Sequence, residues 1–590
     1  MSKPARTPAV RTFDQQIDRQ LQQVFGLQAL RTGQREVMRR TLQGQATLAV
    51  MPTGTGKSLC YQLPATLLPG RTVVVSPLIA LMQDQCESLQ ALGIAAVQVH
   101  ASLSAAALRQ AEQAIADGSA KVVLCTPERL ASADFVALLN THPTSLLAVD
   151  EAHCISQWGH DFRPAFLEIG PALARLGRPT LLALTATAAG PVARDIRQQL
   201  GIPADGFIDT GTYRPNLHYR AESLADDKTR LARLVELVRA TPGAGLVYTA
   251  TIRAAEGVRD ALAAADESVG LYHGRLAAEA RHAVQDAFMA GSTRVVVATN
   301  AFGLGIDKQD IRFVVHYQMP GGLDAYYQES GRAGRDGEPA ACTLLFLRKD
   351  RALQQFFLAG RYPSDNDVQA LYAALQSPPP GDDGGWTQPA LQARLGDCPA
   401  NKLQVALSLL RQRRVVSRNA AGAFTLRRAG MDNNALAALV NGYRNKREQD
   451  AEALERMVAY AQTGACRWQV LLDYFGHSEE GGPHHRCGTC DNCRRMAELA
   501  SASAAAPAAT QPWTEADTHT HAPDIRPIEF TQGAPVRVRR YGAGTVSAAD
   551  AHSVTVAFAD GSSRCFQADF VRPLGTTGRP SRRRDGKAAA

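Results

Sequence analysis

Residues 51–58 read MPTGTGKS, directly after an apolar strand-like run and before an apolar helix-like one, which is the context a phosphate-binding loop requires. Gly54 and Gly56 allow a tight backbone turn, so the N–H groups around Thr53 and Thr55 and the following helix N-terminus face phosphate oxygens. Lys57 supplies positive charge for the β- and γ-phosphates, and the Ser58 hydroxyl is suited to Mg²⁺. The first glycine of the general pattern is Met51 here. A second stretch, residues 146–153, is a hydrophobic run that ends in Asp150, Glu151, Ala152 and His153. It delivers two carboxylates to the C-terminal edge of a strand, where α/β sheets bind ligands. Asp150 suits Mg²⁺, and Glu151 suits orienting and deprotonating an attacking water. A buried acidic pair without a cation is costly, which favours a metal. In a third stretch, residues 328–335 read QESGRAGR and place Arg332 and Arg335 three apart. A guanidinium from a second lobe offsets charge on a transferring γ-phosphoryl group; for either arginine alone the alternative is a structural ion pair.

The fourth stretch is a cysteine cluster. Cys487, Cys490 and Cys493 are spaced C-x-x-C-x-x-C, with Cys466 upstream after an amphipathic segment. Four thiolates close a tetrahedral structural Zn²⁺ site, the alternative being an iron–sulfur cluster. His477, His484 and His485 lie nearby, but four sulfurs already complete the shell. The other seven of the eleven cysteines lie scattered without ligand spacing, which argues against a disulfide framework.

The elements that must position these residues follow from periodicity. Short apolar runs alternate with helical patterns through the first 345 residues, the signature of parallel α/β sheets. Strands are expected at 46–50, 73–76, 122–125, 146–150 and 181–184, and in a second sheet at 245–248, 294–298 and 313–315, with the division near residue 205. Beyond residue 361 the pattern turns helical. Leu403, Ala406, Leu407 and Leu410 form one buried helix face before a hairpin at 415–426 that turns at 419–422, which suggests a winged helix. Leu454, Met457, Val458 and Ala461 repeat the spacing in a helix leading to the cysteines. Residues 500–523 are rich in Ala, Ser, Thr and Pro and read as a linker. The last folded piece, 533–574, alternates in β fashion.

At 590 residues the chain needs several cores. No apolar run is long enough for a membrane span and the N-terminus lacks a secretory pattern, so a cytoplasmic location is expected. The net charge of +8 is concentrated late: residues 533–590 hold 10 Arg or Lys against 4 Asp, a surplus of +6. That end suits a polyanion such as nucleic acid or is simply a solvated basic tail.

Longer stretches carry a family resemblance. Residues 150–164, DEAHCISQWGHDFRP, resemble over their whole length the combined ATPase motif and aromatic-rich loop of the RecQ family of superfamily 2 helicases. Residues 25–34 (FGLQALRTGQ), 75–85 (VSPLIALMQDQ), 184–188 (LTATA), 213–217 (YRPNL), 298–307 (ATNAFGLGID) and 326–337 (YYQESGRAGRDG) join it in the family's order, covering residues 20–350. The resemblance implies two RecA-like parallel-sheet lobes, 1–205 and 206–350, with ATP between them. It implies that Arg31 packs on adenine and Gln34 reads its edge, with Leu27 standing where an aromatic residue is usual. It implies that His153 links the ATP site to the second lobe, and that Arg335, or failing it Arg332, is the finger. Trp158, Phe162 and Arg163 fall in the aromatic-rich loop, which by resemblance senses DNA; a base stacked on an aromatic face gains about 1–3 kcal/mol, the alternative being a core role. The flanks of Cys466 (ACRWQVLLDYFGH) and the CGTCDNC run resemble the RecQ zinc-binding subdomain, which favours Zn²⁺.

The expected order is therefore lobe 1, lobe 2, a winged-helix-like domain at 362–430, the zinc-binding subdomain at 431–495, a disordered linker at 496–532, a small barrel at 533–575 and a basic tail at 576–590. The familiar RecQ order puts the zinc unit before the winged helix; here it is reversed. Arg413, Arg414, Arg418, Arg427 and Arg428 around the hairpin suit phosphate contact or plain solvent exposure. Residues 533–574 resemble the Tudor-like barrel at the C-terminus of UvrD-type helicases, implying a protein- or nucleic-acid-docking module. Two readings follow. One is a 3′-to-5′ DNA helicase that couples ATP hydrolysis to movement along single-stranded DNA and unwinds forked and duplex DNA in repair and recombination. The other is an ATP-switched DNA-binding or recruitment factor whose strand separation is weak.

Overall fold

The computed structural model describes residues 8–156, 163–299, 302, 308–361, 363–379, 384–396, 398–419, 422–476, 486–505, 530–538, 542–549, 553–558, 563–567 and 571–574. Two compact units form, Met1–Ala505 and Ala506–Ala590.

The first unit contains two parallel sheets. Strands β1 (Thr47–Val50), β2 (Arg71–Val75), β3 (Ala96–Val99), β4 (Val122–Cys125), β5 (Thr144–Val149), β6 (Thr180–Thr185) and β7 (Phe207–Asp209) lie in the order β3-β4-β2-β5-β6-β1-β7. Successive side chains feed opposite faces: Leu48, Val73, Val123 and Leu147 enter one core, and Ala49, Val74, Leu124 and Ala148 another. Both faces are thus covered by helices, as an all-parallel sheet demands. The second sheet comprises β8 (Leu217–Ser223), β9 (Ala244–Tyr248), β10 (Val269–Tyr272), β11 (Val295–Ala298), β12 (Ile311–His316) and β13 (Ala340–Phe346), in the order β10-β11-β9-β12-β13-β8. The division expected near residue 205 falls later, because Phe207–Asp209 pairs with β1 and completes the first sheet.

After lobe 2, helices Asp365–Gln376, Gln388–Leu395 and Ala400–Gln412 share one core with the antiparallel pair β14 (Val416–Arg418) and β15 (Phe424–Leu426). Leu403, Ala406, Leu407 and Leu410 are all buried in it. Trp386 adds one antiparallel bridge to Phe424. The 30-residue helix Asn433–Gln462 follows; Leu436 near its start belongs to that core, whereas Leu454, Met457, Tyr460 and Ala461 belong to the core of lobe 2.

The disordered linker expected from residue 496 is corrected at its start: Asp491–Ala505 is helical. Its Ala, Met, Glu and Leu content favours a helix, and the serines that suggested a linker cost only a few tenths of a kcal/mol each, by the usual propensity scale of about 0.7 kcal/mol at most. The second unit holds strands β16 (Pro535–Val538), β17 (Gly542–Ala549), β18 (Ser553–Phe558), β19 (Ser563–Gln567) and β20 (Val571–Pro573), an antiparallel sheet in the order β19-β18-β17-β16-β20 around Val536, Val538, Val546, Val554, Val556 and Val571. The basic tail at 576–590 lies outside the described residues. Among the described residues no helix is long and apolar enough to cross a membrane.

Candidate nucleotide cleft and metal centre

The carboxylates and the glycine-rich loop meet because β5, β6 and β1 are neighbours and all point the same way. Each functional run begins where its strand ends. Met51 N–H donates to Thr185 O (2.9 Å), and Asp150 N–H donates to Val75 O (2.9 Å), so the loop roots are fixed by the sheet itself. Asp150 is buried at 5 % exposure, and burial first, then the Glu151 charge, push its carboxyl up to about 7 while Lys57 opposes. Glu151 takes a left-handed backbone, φ 49°, which is uncommon for a residue with a side chain and belongs with functional sites. Its carboxylate lies 3.2 Å from His153 Nδ1, which also meets Thr185 Oγ1 at 3.0 Å. These partners of His153 are in lobe 1, the lobe from which it was expected to reach out.

Lys57 is partly buried; burial lowers its ammonium below the usual range, Glu151 and Asp150 raise it, and Arg335 lowers it again. Arg335 therefore acts on the same space as Lys57 although it comes from lobe 2. Ser58 Oγ accepts from Gln85 Nε2 (3.2 Å), and Gln85 is in turn bonded to the Tyr61 hydroxyl. Gln85 and Tyr61 had no role assigned from sequence, although Gln85 closes the quoted VSPLIALMQDQ run.

Gln34 is buried and bound at both ends of its amide: Oε1 accepts from Arg31 N–H (2.8 Å), and Nε2 donates to Thr55 O (2.8 Å) and Gly56 O (3.0 Å). It thus holds the phosphate loop, a role the adenine expectation did not include. Arg31 donates to Gly54 O and, at 3.4 Å, to Arg335 O. Leu27 is exposed.

Lobe 2 closes the cleft. Thr53 Oγ1 donates to Gly331 O (2.9 Å), and the Arg335 stem lies over Gly54. Arg332 is buried beside Tyr248, whose phenol burial pushes up to about 12 while Arg332 pulls it down. Sequence reasoning gave no role to Arg214, which joins both lobes: it donates to Thr53 O (3.3 Å), Gly331 O (2.7 Å), Ala333 O (2.9 Å) and Gly334 O (2.5 Å). Of the expected DNA-sensing residues, Trp158 and Phe162 lie outside the described residues. Arg163 donates to Pro77 O (3.0 Å) in lobe 1.

Gly54 offers a direct check on this closure. It has φ +79°, and a Cβ there would stand 2.8 Å from Arg335 Cγ. Gly54→Ala is expected to cost about 1–2 kcal/mol in backbone strain and about 1–3 kcal/mol in overpacking. Restoring space with Arg335→Ala in the same chain should recover the overpacking part, read as the melting temperature of each variant.

At the cysteine cluster, Sγ of Cys466, Cys487, Cys490 and Cys493 all lie within 4.8 Å of one another. Backbone N–H groups aim at the sulfurs: Cys487 N at Cys466 Sγ (3.3 Å), Cys490 N at Cys487 Sγ (3.3 Å) and Cys493 N at Cys490 Sγ (3.4 Å). Such donors stabilise thiolates, the form that binds metal. Four converging sulfurs fit a tetrahedral zinc ion. The unit is built onto lobe 2: Trp468 Nε1 donates to Leu217 O (3.0 Å) and Ala221 N donates to Asp491 (3.1 Å), whose carboxylate Arg467 holds from within the unit (2.9 Å). It thereby satisfies the outer edge of β8, which would otherwise be open for pairing. His477, His484 and His485 lie outside the described residues.

Comparison with known sequences bears on all these parts. The DEAD/DEAH box helicase family matches residues 31–196, the helicase conserved C-terminal domain matches 229–337, and the RecQ zinc-binding family matches 424–494. The chain is 42% identical over 349 residues to the ATP-dependent DNA helicase RecQ of Bacillus subtilis, covering 59% of either chain. It is 38% identical over 353 residues to that of Pasteurella multocida, covering 60% of this chain and 55% of the relative. With the RecQ of Synechocystis sp. the match is 34% over 495 residues, covering 81% of this chain and 98% of the relative. The chain thus spans less than two thirds of the length of the first two relatives and nearly all of the third.

Proposed function

Given that this chain belongs to the RecQ family, we propose that it hydrolyses ATP in the interlobe cleft when stimulated by DNA and moves 3′ to 5′ along single-stranded DNA, displacing the complementary strand. The observation that carries the reading is the meeting of Lys57 and Gly54 of lobe 1 with Arg335 of lobe 2 around one space.

The residues divide the work as follows. Backbone N–H groups of the glycine-rich loop and the Lys57 ammonium hold the β- and γ-phosphates. Glu151 orients a water and takes its proton as the water oxygen bonds to the γ-phosphorus and the bond to the bridging oxygen breaks. Arg335 spreads positive charge over the equatorial oxygens from the far lobe. The buried Asp150 carboxylate and the Ser58 hydroxyl would hold Mg²⁺, which would supply neutralising charge for the phosphate oxygens. Because the triphosphate touches both lobes, its cleavage removes a bridge and lets the cleft reopen. Alternating grips on one strand turn that cycle into movement.

The helices and hairpin at 362–430 suit a winged helix whose hairpin separates strands, with Arg413, Arg414, Arg418, Arg427 and Arg428 all exposed for phosphate. The valine-cored sheet of the second unit suits a small barrel that docks a protein partner. These two modules favour a second reading, an ATP-switched recruitment factor. Steady-state ATP turnover with and without single-stranded DNA, together with release of a labelled strand from a duplex with a 3′ extension, separates the two. Stimulated turnover with strand release, both lost in Lys57→Ala, is expected. Turnover indifferent to DNA contradicts the motor, and stimulated turnover without strand release supports the second reading.

A further inference from the structure

We propose that Arg214 is a positioning residue for catalysis, a latch that sets where Arg335 stands relative to the phosphate loop; this rests on the motor reading above. Arg214 lies in the connection between β7, the last strand of lobe 1, and β8, the first of lobe 2. It is 9 % exposed, and burial lowers its pKa from the usual arginine value without removing its charge. Among the described residues no carboxylate pairs with Arg214; a buried cation so placed is costly, and the carbonyls around this one account for its being kept. One nitrogen donates to Thr53 O and Gly331 O, the other to Ala333 O and Gly334 O. The guanidinium therefore spans a phosphate-loop carbonyl on one lobe and three carbonyls of the turn that carries Arg332 and Arg335 on the other. Its planar fork fixes those carbonyls relative to one another in a way a lysine ammonium does not.

Neighbouring contacts hold the latch itself in place. Tyr327 donates to Thr212 O (2.7 Å), and Asn216 Nδ2 donates to Gly334 O (2.8 Å) and Glu338 O (2.9 Å). Tyr213 packs edge-on against Trp468 with ring centroids 4.9 Å apart. The segment 212–217 is thus held by the arginine turn on one side and the zinc unit on the other. A displacement of the turn of about 1 Å is enough to cost roughly 100-fold in rate when a reacting group depends on it.

The test is a double-mutant cycle in the full chain. Arg214→Ala is expected to lower DNA-stimulated kcat by about 100-fold, with the ATP KM and the affinity for a fluorescent ADP analogue changed far less, because Gln34 and Arg31 still hold the glycine-rich loop after the Thr53 bond is lost. Arg214→Lys should recover part of kcat. In Arg214→Ala with Arg335→Ala, turnover should be no lower than in Arg335→Ala alone, since a latch has nothing left to position. Independent, multiplying losses would overturn the proposal, as would an Arg214→Ala kcat within twofold of the parent. Zinc content and melting temperature report whether each variant folds. If Arg214→Ala does not fold, Asn216→Ala, which removes a lesser tether to the same turn, carries the same cycle with the same criterion. A parent chain that hydrolyses no ATP would sink the motor reading instead, so the two failures are distinct.

Discussion

Arg335→Ala should reduce DNA-stimulated ATP turnover by about 10³- to 10⁵-fold, the range for a guanidinium supplied from a second lobe. Arg335 reaches the site from beyond the lobe boundary, its stem lies on Gly54, and its charge is felt at Lys57. The negative charge it faces grows only as the γ-phosphoryl group transfers, so the loss belongs in kcat while nucleotide affinity stays near that of the parent. Arg335→Lys should recover little, because a point charge on a flexible stem does not reproduce a planar fork. Steady-state kinetics with saturating single-stranded DNA and nucleotide titration read both quantities. A kcat within tenfold of the parent would assign Arg335 to structure and leave Arg332 as the finger. Arg332 is buried against Tyr248, which makes it the poorer candidate.

The second large effect is expected at the cysteine cluster. Structural zinc in small units is bound with roughly 10–16 kcal/mol of apparent free energy that serves as folding free energy. Cys490 is fully buried and takes N–H bonds from Arg467 (3.5 Å) and Cys493 (3.4 Å). Cys490→Ser should therefore lose zinc and unfold the unit. The consequence should spread selectively, because Trp468, Leu471 and Phe475 share a core with lobe 2, and Trp468 and Asp491 cap β8. Amide exchange should accelerate along β8 and β13 while β1 and β5 keep their protection, since they belong to a separate core. A melting curve and exchange pattern unchanged after zinc removal would contradict this account.

Most of the candidate chemistry-bearing residues could be picked from the sequence because they sit in short contiguous runs, MPTGTGKS, DEAH, QESGRAGR and CGTCDNC, with Cys466, Arg31 and Gln34 standing apart. Their mutual placement was legible only through the strand pattern. Strands β4 (VVLC) and β11 (VVVA) announce themselves as unbroken apolar runs, as buried parallel strands do. Strand β8, LHYRAES, does not, because an edge strand capped by another unit carries polar residues. Arg214 stands inside the YRPNL run, yet its role was hidden for a different reason. Its partners lie 117 to 161 positions away and are all backbone carbonyls, which leave no mark on residue type. The helix Asp491–Ala505 was hidden because alanine and serine are ambiguous between linker and helix when read as composition. Trp158 and Phe162, singled out by resemblance, fall outside the described residues.

The helix Asn433–Gln462 is about 45 Å long at 1.5 Å per residue. Its far end is embedded beside Trp468 and Tyr326, its near end in the helices that carry the hairpin, and Arg351 braces it at Glu455. The helix Arg348–Arg361 packs on both this rod and the hairpin-bearing helix Ala400–Gln412, so a tilt of lobe 2 would pass to the hairpin through two braced helices, whereas lobe 1 has no comparable shaft among the described residues. Hairpin travel per nucleotide cycle would then depend on the stiffness of this pair, and kinking the longer helix is expected to change it without touching the nucleotide.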